Sequence, residues 1–169
     1  MKIRAAIEED CIQMAEIHLA SWRNAYKGIV DQKILDGLDR DQRSEAWKAL
    51  LSSSSWPVFV AADLGKITGF VSVCEYRDDD LDSATVGEVS AIYIVPSLIR
   101  TGLGAALFRK GLDFLENSGF HQVALWVLED NFPTISFYEN FGFAHDGGKK
   151  THPTMSLVEL RYIWSTKYA

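Results

Sequence analysis

The sequence predicts a mixed α/β (α+β) domain built on one central, mostly antiparallel sheet with helices on both faces. Three observations support this. Stretches rich in Val, Ile and Phe alternate along the 169 residues with stretches of helical periodicity. Two strand-like stretches, 57–62 and 67–76, are separated only by residues 63–66 with Gly65 among them, which fits a tight antiparallel hairpin. Residues 87–95, a helical stretch and residues 122–128 then run strand, helix, strand, which makes those two strands parallel with a right-handed crossover.

Residues 2–6 can form a first strand, and the acidic Glu8, Glu9 and Asp10 that follow favour a helix start because they complement the positive end of the helix dipole. Ile12, Ala15, Leu19, Trp22 and Tyr26 recur at three- and four-residue spacing and are expected to form that helix's apolar face, with Gly28 ending it. A second helix covers 42–51 and runs into a serine bridge at 52–55. Beyond the hairpin, residues 77–82 form a polar loop in which Asp78, Asp79, Asp80 and Asp82 are expected to be solvated, or else to attract a cationic acceptor. Pro96 stops the 87–95 strand. The helix at 102–118 turns Leu103, Leu107, Gly111, Leu112 and Leu115 inward and stops at Gly119. A strand at 122–128, a short helix at 133–140 closed by Gly142, and a strand at 156–165 complete the order.

With 47% hydrophobic residues, the chain has material for one buried core and one domain. No uncharged apolar run reaches the roughly 18 residues of a membrane span, and the N-terminus lacks the apolar core of a signal peptide, so a cytoplasmic protein with no membrane partner is expected. Cys11 and Cys74 lack a CxxC or paired-ligand spacing and are expected to be free thiols. His18, His121, His145 and His152 are scattered, so no metal site is expected. The net charge of -6, with 17 unclustered basic residues, argues against a nucleic-acid partner and suits a cationic one better.

The most informative segment places Gly102 and Gly104 between a strand and a helix N-terminus. Unpaired amides there meet the positive helix end and suit phosphate oxygens, and glycine lets the backbone approach a ligand. Two glycines so spaced also serve simply to start helices. The P-loop pattern is absent, and the dinucleotide fingerprint fails because Leu107 stands where its third glycine belongs.

Ile94, Val95 and Pro96, followed by Ile99, Arg100, Thr101, Gly102, Leu103, Gly104 and Ala105, resemble the acyl-CoA-binding motif Q/R-x-x-G-x-G/A of the GNAT superfamily, with Ile99 where Gln or Arg is usual. The segment 128–143 is similar to the family's later segment, in which an Asn at a strand end, here Asn131, precedes a short helix carrying Phe137 and Tyr138 and closing in Gly142 and Phe143. Residues 3–10 and 159–162 extend the resemblance over nearly the whole chain. The stretch 21–28 is similar to a subset of the family, although Trp22 and Tyr26 also read as core residues on a helical face.

The resemblance implies a GNAT-like fold and acetyl-CoA as cosubstrate. Its pyrophosphate would lie on main-chain amides of residues 99–105, and the backbone of Ile92, Tyr93 and Ile94 together with Asn131 would border the rest. Arg100 would reach a phosphate or sit in solvent. The acceptor would be an amine, a small molecule in preference to a protein, attacked directly in a ternary complex; a homodimer is one assembly open to the chain. A non-catalytic acyl-CoA-binding or regulatory module is the alternative.

An aliphatic ammonium has a pKa near 10, so a carboxylate must take its proton at neutral pH. By the same resemblance Glu88 is the general base, against an ordinary exposed strand-end glutamate. Tyr138 is the general acid toward the departing thiolate, against a tyrosine that only packs its ring. Cys74 has no identifiable activating partner for a covalent route.

Overall fold

In the computed structural model, which describes residues 1–153 and 155–165, the expected hairpin turns on Leu64 (φ 47) and Gly65 (φ 81). Two successive positive-φ residues give the turn whose twist matches its flanking strands. Those strands are β2 (Val58–Asp63) and β3 (Lys66–Glu75). The order around them is β1 (Lys2–Ala5), α1 (Cys11–Ala25), α2 (Gln32–Asp36) and α3 (Arg40–Ser53) before the hairpin. After it come β4 (Val86–Ile94), α4 (Leu103–Asn117), β5 (Gln122–Leu128), α5 (Phe132–Glu139), β6 (Ala144–Thr151) and β7 (Val158–Ser165). Among the described residues they build a 7-stranded sheet in the order β1-β2-β3-β4-β5-β7-β6.

Every neighbouring pair is antiparallel except β4 and β5, which run parallel as expected. That parallel pairing covers only Val86↔Gln122, Gly87↔Val123 and Glu88↔Ala124. Beyond it β4 carries an extra residue: Val73 pairs with Val89 but Ser72 with Ala91, leaving Ser90 as a bulge. A bulge bends its strand and raises local twist, and here it sits where β4 leaves β5.

Each face of the sheet has its own core. On one, Leu103, Leu107, Phe108 and Leu115 of α4 pack on Val71, Val73, Val123 and Leu125. Leu107, Phe108 and Leu115 are fully buried, each side chain stabilising by roughly 2 kcal/mol. Gly111 allows this close approach, because a Cβ there would lie 3.1 Å from Val73 and 3.2 Å from Val71. On the other face, Met14, Ala15 and Ile17 of α1 and Trp47 of α3 cover Val58, Val60 and Phe70.

The structure departs from the expected elements in five places. Ile12 is 50% exposed, because the buried stripe of α1 runs through Cys11, Met14, Ala15 and His18 and one residue step turns Ile12 about 100° away. The five-residue α2 is capped by the Asp31 carboxylate, which accepts from the Lys33 N–H, and is too short to show a period. Strand β6 was hidden because its sequence does not alternate and its register breaks between His145 and Lys149. The last strand begins at Val158, since Ser156 has φ 53. The acidic loop is tied down: Asp78 pairs with Lys150 at 2.7 Å, and Asp80 with Arg161, which also bonds Asp146.

Candidate active site

The separation of β4 from β5 leaves one edge of β4 without a strand partner. The Val95 N–H donates to Thr68 on the β3 side, so by alternation the amides of Ile92 and Ile94 point the other way, into the opening. The Ile94 carbonyl is met there by the Ser21 hydroxyl at 2.9 Å. A ligand with amide groups could lie along this edge as a strand would.

At the end of β4 the turn into α4 presents a second feature. Gly102 caps the helix with φ 90 and no side-chain cap, and a Cβ there would meet nothing within 4 Å. Among the described residues the N–H groups of Gly102, Leu103, Gly104 and Ala105 have no acceptor, which leaves the first turn of α4 open for an anion. The cluster is smaller than the 99–105 expected. The Ile99 N–H already donates to Pro96 and the Thr101 N–H to Leu98, at 3.2 and 3.3 Å, because the short turn Pro96–Leu98 folds back on itself. Arg100 is exposed with φ 65, and no ion pair reaches it among the described residues. The donor set, bare amides at a helix N-terminus, fits the pyrophosphate of coenzyme A.

Tyr138 projects from α5 into the α4 core, its ring 5.3 Å from Phe108, and is 7% exposed. Burial, with Tyr93 nearby, pushes its phenol well above the ordinary value, so it stays protonated throughout the physiological range. None of the described hydrogen bonds involves its hydroxyl. Asn131, 5% exposed at the start of α5, likewise has a side-chain amide outside the described hydrogen bonds.

The other side of the opening carries Glu88, which is 1% exposed and therefore not the solvated strand-end residue weighed above. Side chains alternate along β4, and Glu88, Ala91 and Tyr93 face α1 and α3. The Glu88 carboxylate accepts from the Arg77 backbone N–H at 3.2 Å and from its guanidinium at 3.1 Å through Nε and again through Nη2. Arg77 itself is held above its usual value by those hydrogen bonds. Sequence reasoning missed this partner, since it depends on the register that brings the end of β3 beside Glu88.

Trp22 and Tyr26 are half-buried, not plain core. The Trp22 indole donates to the Tyr93 hydroxyl at 2.9 Å, and its ring meets Tyr26 edge-on at 5.2 Å. Burial raises both the Tyr26 and Tyr93 phenols, and Tyr26 also feels Tyr93, Tyr138 and Glu159. Cys74 is half-buried on β3 and its thiol is pushed up to about 11, chiefly by burial, the opposite of an activated nucleophile. Among the described residues no group of three or more His, Cys, Asp or Glu could hold a metal ion. Among them, too, no helix is long and apolar enough to cross a membrane.

Comparison with known proteins identifies the family. The acetyltransferase (GNAT) family model matches residues 13–143. The chain is 36% identical over 140 residues to the uncharacterized N-acetyltransferase YuaI of Bacillus subtilis (strain 168), across 82% of this chain and 78% of that protein. It is 28% identical over 145 residues to the L-amino acid N-acyltransferase MnaT of Escherichia coli (strain K12), across 85% and 79%. The PaiA N-acetyltransferase of Thermoplasma acidophilum, solved in complex with coenzyme A, has the same fold, with a TM-score of 0.75 at 18% identity over 98% of each chain. The chain therefore belongs to the acetyltransferase (GNAT) family, the family of acetyl-CoA-dependent N-acetyltransferases.

Proposed function

We propose that the chain moves an acetyl group from acetyl-CoA to a primary amine by direct attack within a ternary complex, with Glu88 as general base and Tyr138 as general acid. The observation that carries this is the opening between β4 and β5, which has a buried carboxylate on one side, a protonated buried phenol on the other and free amides along its edge and at its end. Acetyl-CoA, when bound, supplies the thioester. The amides of Gly102, Leu103, Gly104 and Ala105 would hold its pyrophosphate, Ile92 and Ile94 would pair with its amide groups beside Tyr93, and Asn131 would border them. Ile99 and Thr101 would line the turn by side chain alone, whereas the Arg100 N–H, which has no acceptor among the described hydrogen bonds, could join the free amides.

Glu88 takes the proton of the acceptor's ammonium, directly or through one water, so that the neutral nitrogen attacks the thioester carbon. An amide on the β4 edge donates to the carbonyl oxygen as charge gathers there. As the carbon–sulfur bond breaks, Tyr138 gives its proton to the departing sulfur and recovers one from solvent, while the attacking nitrogen loses its second proton, and Glu88 the one it took, to water. Arg77, whose side chain is 59% exposed, keeps Glu88 aligned and must slide toward water when the ammonium arrives. The Arg77–Glu88 pair also favours a second reading, a non-catalytic acyl-CoA-binding module in which that carboxylate is permanently occupied.

Thiol release across a panel of amines, with mass spectrometry of the product, separates the two. The proposal expects one N-acetylated product per thiol and intersecting initial-rate lines. Tight acetyl-CoA binding with no thiol release from any amine would establish the module, and parallel lines with acetyl on Cys74 would replace direct attack.

A further inference from the structure

The acceptor face carries a second carboxylate that neither proton-transfer role uses. Glu159 lies on β7 opposite Leu128 of β5 and Lys150 of β6. Counting along the parallel pair, Leu128 is four residues beyond Ala124, where β5 last touches β4, so Glu159 stands beside the open part of the sheet while Glu88 marks its closed end. Alternation puts Glu159 on the same face as Trp126 and Arg161. Trp22 and Tyr26 pack against Leu128, the β5 residue paired with Glu159, so this carboxylate lies near the aromatic wall that also holds the Tyr93 hydroxyl through Trp22.

Three features set Glu159 apart from the acids around it. Asp78, Asp80, Asp146, Glu88 and Glu129 each hold a Lys or Arg, whereas among the described residues no hydrogen bond or ion pair reaches the carboxylate of Glu159, which is half-buried where the likewise unpaired Asp130 is exposed. The charges that bear on it are His152, Lys150 and Arg77, which favour its ionised form, and Asp78, which opposes it, while burial pushes its carboxyl up. Of these cations, Lys150 is tied to Asp78 and Arg77 to Glu88. Arg43 on the α3 side bears on His18 and Tyr93 instead.

The walls nearby are apolar. Trp22, Tyr26, Ile29 and Leu157 pack around Leu128 and Met155. A cavity of about 160 Å³ opens beside Leu128, lined by Ile29 and Leu157 with the acids Asp130 and Glu129, the latter paired with Lys149, and among the described residues no Lys or Arg lines it directly. Such a surface offers an ammonium a carboxylate and aromatic faces, and among the described residues no Lys or Arg lines the cavity to receive a substrate carboxylate.

We propose that Glu159 anchors the acceptor's ammonium and selects primary amines on an apolar, aromatic body that lack an adjacent carboxylate, against free α-amino acids. This rests on the amine-transfer reading above. Glu159 is a positioning residue: it holds the charged acceptor at the mouth of the opening, and Glu88 takes the proton farther in.

Phenethylamine and phenylalanine share a skeleton and differ by the carboxylate, so calorimetric titration of each into the protein saturated with coenzyme A reads the anchor without requiring turnover. Phenethylamine is expected to bind at least about 10-fold tighter than phenylalanine. Glu159→Gln should weaken phenethylamine by about 10-fold or more, with coenzyme A affinity and melting temperature unchanged. Glu159→Asp should recover part of the loss. Phenylalanine binding as well as phenethylamine, phenethylamine failing to bind, or full phenethylamine affinity in Glu159→Gln would each overturn the proposal. Turnover measured alongside keeps the two readings apart. Binding through Glu159 without acetylation leaves the anchor and removes the amine transfer; acetylation with an unchanged amine KM in Glu159→Gln does the reverse.

Discussion

Replacing Glu88 by Gln removes a proton acceptor while keeping the shape of a side chain that is 1% exposed. The amide retains one oxygen for Arg77 but turns a buried NH2 toward Arg77 donors, so the fold should lose about 1–3 kcal/mol. The kinetic effect is larger and has a definite pH course. With an acceptor pKa of about 10.4, roughly one amine in 10³ is free base at pH 7.4 and about one in 10 at pH 9.4. If Glu88 supplies the neutral nucleophile, kcat/KM in Glu88→Gln should fall by about 10²–10³ at pH 7.4 and by only about 10-fold near pH 9.4. Thiol-release rates from about pH 6.5 to 10 for both proteins, with the acceptor's own titration measured, check this. A deficit of the same size at every pH would assign Glu88 a structural role through Arg77, and coincident profiles would remove it from the reaction.

Tyr138→Phe should lower kcat by about 10²-fold with acetyl-CoA affinity and melting temperature unchanged, because the ring packing on Phe108 stays and none of the described hydrogen bonds is lost; steady-state rates beside calorimetry test it. At Gly104 a new Cβ would meet only Ile94 at 3.7 Å and the Phe137 ring at 3.9 Å, so Gly104→Val should fold and yet bind acetyl-CoA about 10-fold weaker or worse by crowding the phosphate. Full affinity in that variant would exclude the turn from the site. Burial alone would raise the Asp10 carboxyl, but hydrogen bonds from Arg4 and the Ile7 N–H outweigh it and hold it below the usual range. A carboxyl depressed in the folded state adds stability at neutral pH that disappears as pH falls below about 4. Asp10→Asn should therefore melt about 2–4 °C below the parent at pH 7, with the gap closing near pH 3 by scanning calorimetry.

The sheet, its hairpin and the inward stripe of α4 were legible because each is written locally, in a two-residue turn or in leucines repeating every three and four positions. Strand β6 was not, because it is held by its register with β7 and not by its own polar, glycine-bearing sequence. The same division runs through the site. Gly102 and Gly104 mark the turn proposed to hold the phosphates, but which amides are free depends on how Pro96–Leu98 folds back, and that takes Ile99 and Thr101 out of the set. The Arg77 partner of Glu88 and the position of Glu159 come from pairings across strands, for which a single sequence has no local sign.

The bulge at Ser90 has a thermodynamic consequence. Past it, β4 is a strand with one side unfinished, and the sheet is joined there by three residue pairs alone. A donor lying along Ile92 and Ile94 would complete the ladder, acting as a missing strand as well as a reagent. Its concentration would then enter the folding equilibrium: at 100 times its dissociation constant a ligand adds about 2.7 kcal/mol of stability. The β1–β4 and β5–β7–β6 parts of the sheet, which share the core under α4, would be coupled most firmly when the thioester is in place, and the grip would loosen once coenzyme A leaves. Amide hydrogen exchange at Ile92 and Ile94 would record that coupling directly, slowing with donor and recovering on its removal.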